Sequence, residues 1–192
     1  MLLYDIEAPP TVLADIIDGV GVLTLNRPAV LNALDLATVR TLMRQLTAWA
    51  RDPAIRAVLL RGSGERAFCA GGDVRSLYRL QRQGSPDLGR FFDEEYALDC
   101  LIHRYPKPTI ALMDGVVMGG GMGLAQGCTH RLVTERTRMA MPETAIGIFP
   151  DVGGSYFLSR LPPALGAYIG VVGDTLSGVD AVAREEVAAF FG

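Results

Sequence analysis

The alternation of short apolar runs with helical patterns constrains the fold of this chain more than any other feature. Two β-branched runs, Val12 to Ile17 and Val20 to Leu25, are separated by Asp18-Gly19, a pair typical of hairpin turns. Asp35 then begins a stretch with apolar residues at helical spacing, which ends at Asp52-Pro53. Further strands are predicted at 55–60, 109–113 and 130–134, and further helices at 73–80, 88–103, 119–127 and 153–161. This order predicts an α/β fold.

The composition favours an ordinary globular domain. The chain has 192 residues, of which 49% are hydrophobic and 20% charged, and this length predicts a single domain over 1–192. A net charge of −3 without any Lys/Arg run argues against nucleic acid as the main partner. Lys107 is the only lysine, so an anionic ligand would be held by arginines, helix N-termini and backbone amides.

The cysteines and the N-terminus indicate the compartment. Cys69, Cys100 and Cys128 are far apart and odd in number, and they form neither a zinc motif nor a disulfide framework. We expect no metal site and a cytoplasmic location. The first residues lack a basic segment and carry early acids, unlike a secretory or transit peptide, and no apolar run is long enough to span a membrane.

Two glycine-rich segments, 67–73 and 119–123, each lie between a predicted strand and a predicted helix. Unpaired amides at a helix start carry the positive end of the helix dipole, so two converging loops predict an oxyanion hole. Close helix packing also selects glycine, which is the structural alternative. The chain contains neither a nucleotide phosphate loop nor a GxSxG elbow, and only two histidines. We therefore expect carboxylates and backbone donors to carry the chemistry.

The segment 141–154 places two carboxylates, Glu143 and Asp151, eight positions apart in apolar surroundings. Burial beside Ile, Phe and Val is expected to raise the pKa of such a group. Paired carboxylates are common in acid–base and nucleophilic catalysis. The structural alternative is that Glu143 caps a turn and Asp151 begins the next helix.

Four ordered motifs together resemble the crotonase (enoyl-CoA hydratase/isomerase) superfamily. They are Leu25-Asn26-Arg27-Pro28 with Leu31-Asn32-Ala33-Leu34, Ala67-Phe68-Cys69-Ala70-Gly71-Gly72-Asp73, Lys107-Pro108-Thr109-Ile110-Ala111 through Asp114-Gly115, and Met118-Gly119-Gly120-Gly121. The resemblance implies repeated ββα units, a core over about 12–180, acyl-CoA thioester substrates, no separate cofactor, and homotrimers or hexamers. By motif position it implies that the amides of Gly72 and Gly120 hold the thioester oxygen, with Ala70 and Gly71 also binding substrate.

The details narrow the resemblance to a subgroup. Hydratases of the superfamily carry a glutamate where this chain has Gly123, which argues against hydration. The segment from Met141 to Gly154 resembles 3-hydroxyisobutyryl-CoA hydrolases of valine catabolism. That resemblance implies a catalytic role for Glu143, assistance from Asp151, and substrate binding by Glu95 and Gly120. An exposed helix acid is the alternative for Glu95, and Asp73 is expected to cap a helix.

The C-terminal part departs from the family pattern. Members normally continue well past residue 192 with helices that close the acyl pocket, so those helices are expected to be missing here. Residues 181–192 form an amphipathic pattern that predicts a final helix. Two alternatives to a hydrolase stay open: an enoyl-CoA isomerase or other crotonase that uses Glu143 alone, and a shortened CoA-binding subunit without catalytic activity.

Overall fold

Among the described residues, the larger of two β-sheets contains five strands in the order β1-β2-β3-β5-β7. The computed structural model describes residues 9–183, and all structural statements refer to this part of the chain. Strands β1 (Val12–Ile17) and β2 (Val20–Leu25) form the predicted antiparallel hairpin. Strands β3 (Ala57–Gly62), β5 (Thr109–Met113) and β7 (His130–Val133) then pair in parallel. The α/β class expected from the sequence is confirmed.

The smaller sheet has the order β4-β6-β8-β9. Its strands are β4 (Ala67–Cys69), β6 (Val116–Met118), β8 (Arg138–Ala140) and β9 (Leu176–Ser177). The first three are parallel, whereas β9 pairs with β8 in the antiparallel sense. Each strand pair β3–β4, β5–β6 and β7–β8 contributes one strand to each sheet and leads into a helical segment. This repetition is the ββα arrangement that the resemblance implied.

The part of the chain that the structure describes has seven helices around the sheets: α1 (Leu36–Arg51), α2 (Val74–Arg82), α3 (Asp87–His103), α4 (Gly120–Gly127), α5 (Gly154–Leu158), α6 (Pro163–Val172) and α7 (Gly178–Ala183). The Asp35 side chain accepts a hydrogen bond from the Thr38 amide and so caps α1. Helix α3 packs against both α1 and α4. Leu42 and Leu46 of α1 and Leu98 of α3 are fully buried. Glu95 of α3 lies against Gly120, the first residue of α4.

The structure corrects several sequence expectations. The strand predicted at 55–60 lies at Ala57–Gly62. Strands β4, β6, β8 and β9 and helix α6 were not predicted, and the helix expected at 153–161 is shorter. The helix predicted at 181–192 lies largely outside the described residues. Within residues 9–183, no helix is both long and apolar enough to cross a membrane.

Candidate active site

The first glycine loop connects β4 to α2 and is fixed by a single β-bridge. Leu34 pairs with Gly72: the Leu34 amide donates to Gly71 O at 2.8 Å, and the Asp73 amide donates to Leu34 O at 2.7 Å. This parallel pattern does not use the Gly72 amide. Asp73 caps α2 as predicted, because its carboxylate accepts from the Ser76 amide at 3.1 Å, and Arg27 Nη2 lies 2.8 Å from it.

The two glycine loops meet. Gly71 has a φ of +91°, and a Cβ there would lie 2.8 Å from Met118 O and 3.1 Å from the Gly120 amide nitrogen. Only glycine satisfies both the backbone angle and this approach. Gly120 is the first residue of α4, so its amide belongs to the helix turn that has no intrahelical acceptor. The structure thus brings Gly71, Gly72 and Gly120 together, with Ala70 half-buried beside them.

Glu143 lies buried beside the second glycine loop. It begins a 3₁₀ turn, Glu143–Ile146, and is 5% exposed. A Cβ on Gly119 would lie 3.0 Å from Glu143 Oε1, and Oε2 is buried without a hydrogen-bond partner among the described residues. Burial raises the pKa of the Glu143 carboxyl to about 7, its own backbone amide opposes this, and the negative charge of Asp151 adds to it.

Glu95 is also buried against the start of α4. It is 3% exposed on α3, and its Oε1 atom faces Gly120 without a hydrogen-bond partner among residues 9–183. Burial, followed by repulsion from Asp151 and Glu143, raises the pKa of Glu95 to about 8. The alternative of an exposed helix acid is therefore wrong, and the carboxyl of Glu95 is mostly protonated at neutral pH.

Asp151 lies at the edge of this carboxyl group cluster and is partly buried. The Tyr96 hydroxyl of α3 donates a hydrogen bond to Asp151 Oδ2 at 2.7 Å. Helix α5 begins after Gly153 and has no side-chain cap, so the interpretation of Asp151 as a helix cap is wrong. The structure instead brings Asp151 close enough to Glu143 and Glu95 for their charges to interact.

Asp99 is a fourth carboxyl group, and sequence reasoning missed it. Both of its carboxyl oxygens are buried and have no hydrogen-bond partner in the described part of the chain. Burial, together with the charges of Glu95 and Asp151, raises its pKa well above the usual range. A spacing of four residues places Glu95 and Asp99 on one helix face, and this spacing was the available signal.

Position 123 has no room for a side chain. A Cβ on Gly123 would lie 2.7 Å from the Cβ of Val152 and 2.9 Å from Asp99 Oδ2. A glutamate at this position therefore requires movement of α3 or of the segment after Glu143. The packing of α3 against α4 therefore excludes the hydratase glutamate from this position.

An open groove of about 280 Å³ borders the cluster. Its lining consists of Tyr96, Asp99 and Cys100 from α3 and residues 149–155. Contrary to the expectation from the sequence, the apolar residues between the two carboxylates do not enclose them. Ile146 is 64% exposed and Phe149 is 72% exposed, so Glu143 is buried by the glycine turn of α4 instead.

The other candidate groups lie apart from this chemistry. Burial raises the pKa of Cys69 to about 12, so its thiol is not an activated nucleophile. The His103 ring, at the end of α3, packs against Tyr156 at 5.4 Å, whereas His130 is exposed at the start of β7. Within residues 9–183, no three His, Cys, Asp or Glu side chains are arranged so that they could hold a metal ion.

Comparison with known proteins agrees with this architecture. Residues 20–191 match the family described as "Enoyl-CoA hydratase/isomerase". The chain is 47% identical to a carnitinyl-CoA dehydratase from Mycobacterium thermoresistibile (TM-score 0.88), covering 94% of this chain and 52% of that one. It is 40% identical to an enoyl-CoA hydratase from Rhodobacter sphaeroides 2.4.1 (TM-score 0.85), covering 90% and 51%. The crotonase fold expected from the motifs is confirmed.

Curated relatives carry a more specific name. The chain is 48% identical over 171 residues to a protein of Xenopus tropicalis named "3-hydroxyisobutyryl-CoA hydrolase, mitochondrial", covering 89% of this chain and 44% of that protein. A Danio rerio protein of the same name is 46% identical, covering 96% and 48%. The chain thus spans less than half the length of these relatives. Their names place them in mitochondria, so the expected cytoplasmic location stays a prediction.

Proposed function

Because the chain belongs to the enoyl-CoA hydratase/isomerase family, we propose that it hydrolyses an acyl-CoA thioester, with Glu143 as the catalytic carboxylate. The proposed substrate is 3-hydroxyisobutyryl-CoA, the products are 3-hydroxyisobutyrate and CoA, and the proposed context is valine catabolism. The names of the relatives support this choice of substrate. In this proposal CoA is part of the substrate, and no separate cofactor is required.

One observation carries the proposal: the buried Glu143 carboxyl lies next to Gly119, one residue before Gly120, whose amide is in the first turn of α4. A carboxyl group with a pKa of about 7 is substantially ionised at neutral pH and retains more basicity than an ordinary glutamate. Such a group serves hydrolysis in one of two ways. It attacks the thioester carbon to give a mixed anhydride and a free thiolate, or it removes a proton from an attacking water.

The surrounding groups fit the remaining needs of thioester hydrolysis. We assign the amides of Gly72 and Gly120 to the oxygen of the tetrahedral intermediate, where backbone donors stabilise developing negative charge. Ala70 and Gly71 line the same loop and are assigned to substrate binding. Glu95, protonated at neutral pH, is assigned to substrate binding as a hydrogen-bond donor. Asp151 is assigned to the hydroxyl group of the acyl chain.

The test measures the release of free CoA thiol from 3-hydroxyisobutyryl-CoA by the purified protein. Release at a rate typical of an enzyme is the expected result. An enoyl-CoA isomerase would instead convert a β,γ-enoyl thioester into its conjugated α,β isomer without releasing thiol, and the absorbance of the conjugated product follows this reaction. Such a shift without thiol release would replace the hydrolase by the isomerase. Binding of the thioester without any reaction would favour a non-catalytic CoA-binding subunit.

The substitution Asp151→Asn distinguishes a hydrolase from an isomerase. In a hydrolase the substitution lowers thiol release, because Asp151 contacts the acyl hydroxyl. In an isomerase the activity depends mainly on Glu143, and Asp151→Asn changes it little. A homotrimeric or hexameric assembly stays a prediction, which light scattering in solution tests.

A further inference from the structure

We propose that Tyr96 is a positioning residue for Asp151, and that it reserves one carboxylate oxygen for the hydroxyl group of a β-hydroxyacyl thioester. The Tyr96 hydroxyl donates to Asp151 Oδ2, and we assign the other oxygen, Oδ1, to the substrate hydroxyl. The inference rests on the proposed function, in which Asp151 binds the hydroxyl group of the substrate. It goes further by assigning to Tyr96 the preference for a hydroxylated acyl group.

The geometry comes from α3. Tyr96 follows Glu95 directly, yet Glu95 is buried against α4 whereas Tyr96 is 38% exposed at the groove. The Phe92 ring, one turn earlier, lies 6.2 Å from the Tyr96 ring, centroid to centroid. Residues four apart on a helix share a face, so Phe92 restricts the direction of the tyrosine side chain. The hydroxyl thereby meets a carboxylate that is 55 residues away in sequence.

The direction of the hydrogen bond between Tyr96 and Asp151 follows from the protonation of the tyrosine. Burial and the neighbouring charge of Asp151 raise the pKa of the Tyr96 phenol, so the phenol keeps its proton and donates it. Among the four carboxyl groups, Glu95, Asp99 and Glu143 each have a buried oxygen without a partner in the described residues. Asp151 is the member of the cluster that receives the tyrosine hydrogen bond.

This arrangement discriminates between two kinds of acyl group. An ionised carboxylate only accepts hydrogen bonds, so its free oxygen binds an alcohol, which donates. A thioester without the hydroxyl leaves that oxygen unpaired in a partly desolvated position, which is unfavourable. Loss of the Tyr96 hydroxyl should therefore weaken binding of the hydroxylated thioester and leave its unhydroxylated counterpart nearly unchanged.

The experiment measures dissociation constants by calorimetry in a Glu143→Gln background, so that turnover is not required. The two ligands are 3-hydroxyisobutyryl-CoA and isobutyryl-CoA, which differ by one hydroxyl group. We expect Tyr96→Phe to reduce the preference for the hydroxylated ligand by about tenfold. In an Asp151→Asn background the same substitution should have no further effect. Tyr168→Phe is the matched control, because the Tyr168 hydroxyl also donates to an aspartate, Asp174, at 2.5 Å.

The inference is overturned if Tyr96→Phe weakens both ligands equally, if it changes neither, or if its effect persists without Asp151. A parent protein that binds both ligands equally, or binds neither, also overturns it. Thiol release by the protein with Glu143 intact is measured separately and tests the proposed function. A protein that discriminates between the ligands but releases no thiol would retain the role of Tyr96 and lose the hydrolase assignment.

Discussion

Gly120 and Glu95 fit together so closely that a Cβ on Gly120 would overlap the Glu95 Oε1 atom. Because Glu95 is buried, its carboxyl group can move only by disturbing the packing of α3 against α4. We expect Gly120→Ala to destabilise the protein by about 1–3 kcal/mol and to reduce thioester hydrolysis. Thermal unfolding and thiol release measure the two effects.

Gly89→Ala is the control for that substitution. Gly89 also lies in a helix, α3, but a Cβ there would meet no atom within 4 Å. Alanine should therefore stabilise this position by about 0.5–1 kcal/mol through its higher helix propensity. Equal effects of the two substitutions would contradict the close fit between Gly120 and Glu95.

The buried carboxyl groups should make the protein less stable as pH rises. The folded-state pKa is raised to about 8 for Glu95 and to about 7 for Glu143, and it is raised for Asp99. Between the unfolded and folded pKa values the folded protein binds more protons, so the free energy of unfolding falls as pH rises. We expect a declining melting temperature from about pH 5 to pH 8.

Asp99→Asn tests the share of one group in this decline. The amide stays neutral at every pH, so the variant should unfold at a higher temperature than the parent at pH 8 and lose part of the pH dependence. An increase of about 2–4 °C corresponds to about 1 kcal/mol for a chain of this size. A lower melting temperature at pH 8 would mean that the Asp99 carboxyl makes a favourable contact in the folded state.

The sequence predicted the elements that carry a long periodic signal. Strands β1, β2 and β5 have the predicted bounds, and α1 begins after the predicted cap Asp35. Strands β4, β6 and β8 have three residues each, too few for alternation to be recognised. At the candidate site, too, local sequence patterns were recognised and contacts distant in sequence were not. The glycine loops and Glu143 have local signatures, whereas the contacts of Tyr96 with Asp151 and of Asp99 with Gly123 depend on how α3 packs.

Position 123 should not accept the hydratase glutamate. Because a Cβ there would already lie too close to Val152 and Asp99, Gly123→Glu must displace either α3 or the segment that carries Asp151. We expect lower stability, lower thiol release and no hydration of an enoyl-CoA. Hydration is measured by the loss of enoyl absorbance. Efficient hydration by the variant would show that the missing carboxylate alone separates the two activities.

The pH dependence of hydrolysis should follow the ionisation of the carboxyl cluster. Glu143 acts as a carboxylate in both routes, whereas Glu95 donates a hydrogen bond only while protonated, so kcat/KM should rise through about pH 7 and fall again above about pH 8. Because the four groups interact, the apparent pKa belongs to the cluster as a whole. A profile that is already level at pH 5 would contradict a catalytic carboxyl group with a raised pKa.

The central claim, that Glu143 carries thioester hydrolysis, is tested most directly by comparing Glu143→Gln with Glu94→Gln. Glu94 forms an exposed ion pair with Arg40 at 2.6 Å, on the same helix as Glu95, so its substitution controls for loss of one acidic residue. We expect Glu143→Gln to lower the rate of thiol release from 3-hydroxyisobutyryl-CoA by about 10²–10⁴-fold and Glu94→Gln to leave it unchanged. Thiol release by folded Glu143→Gln at the parent rate would contradict the claim.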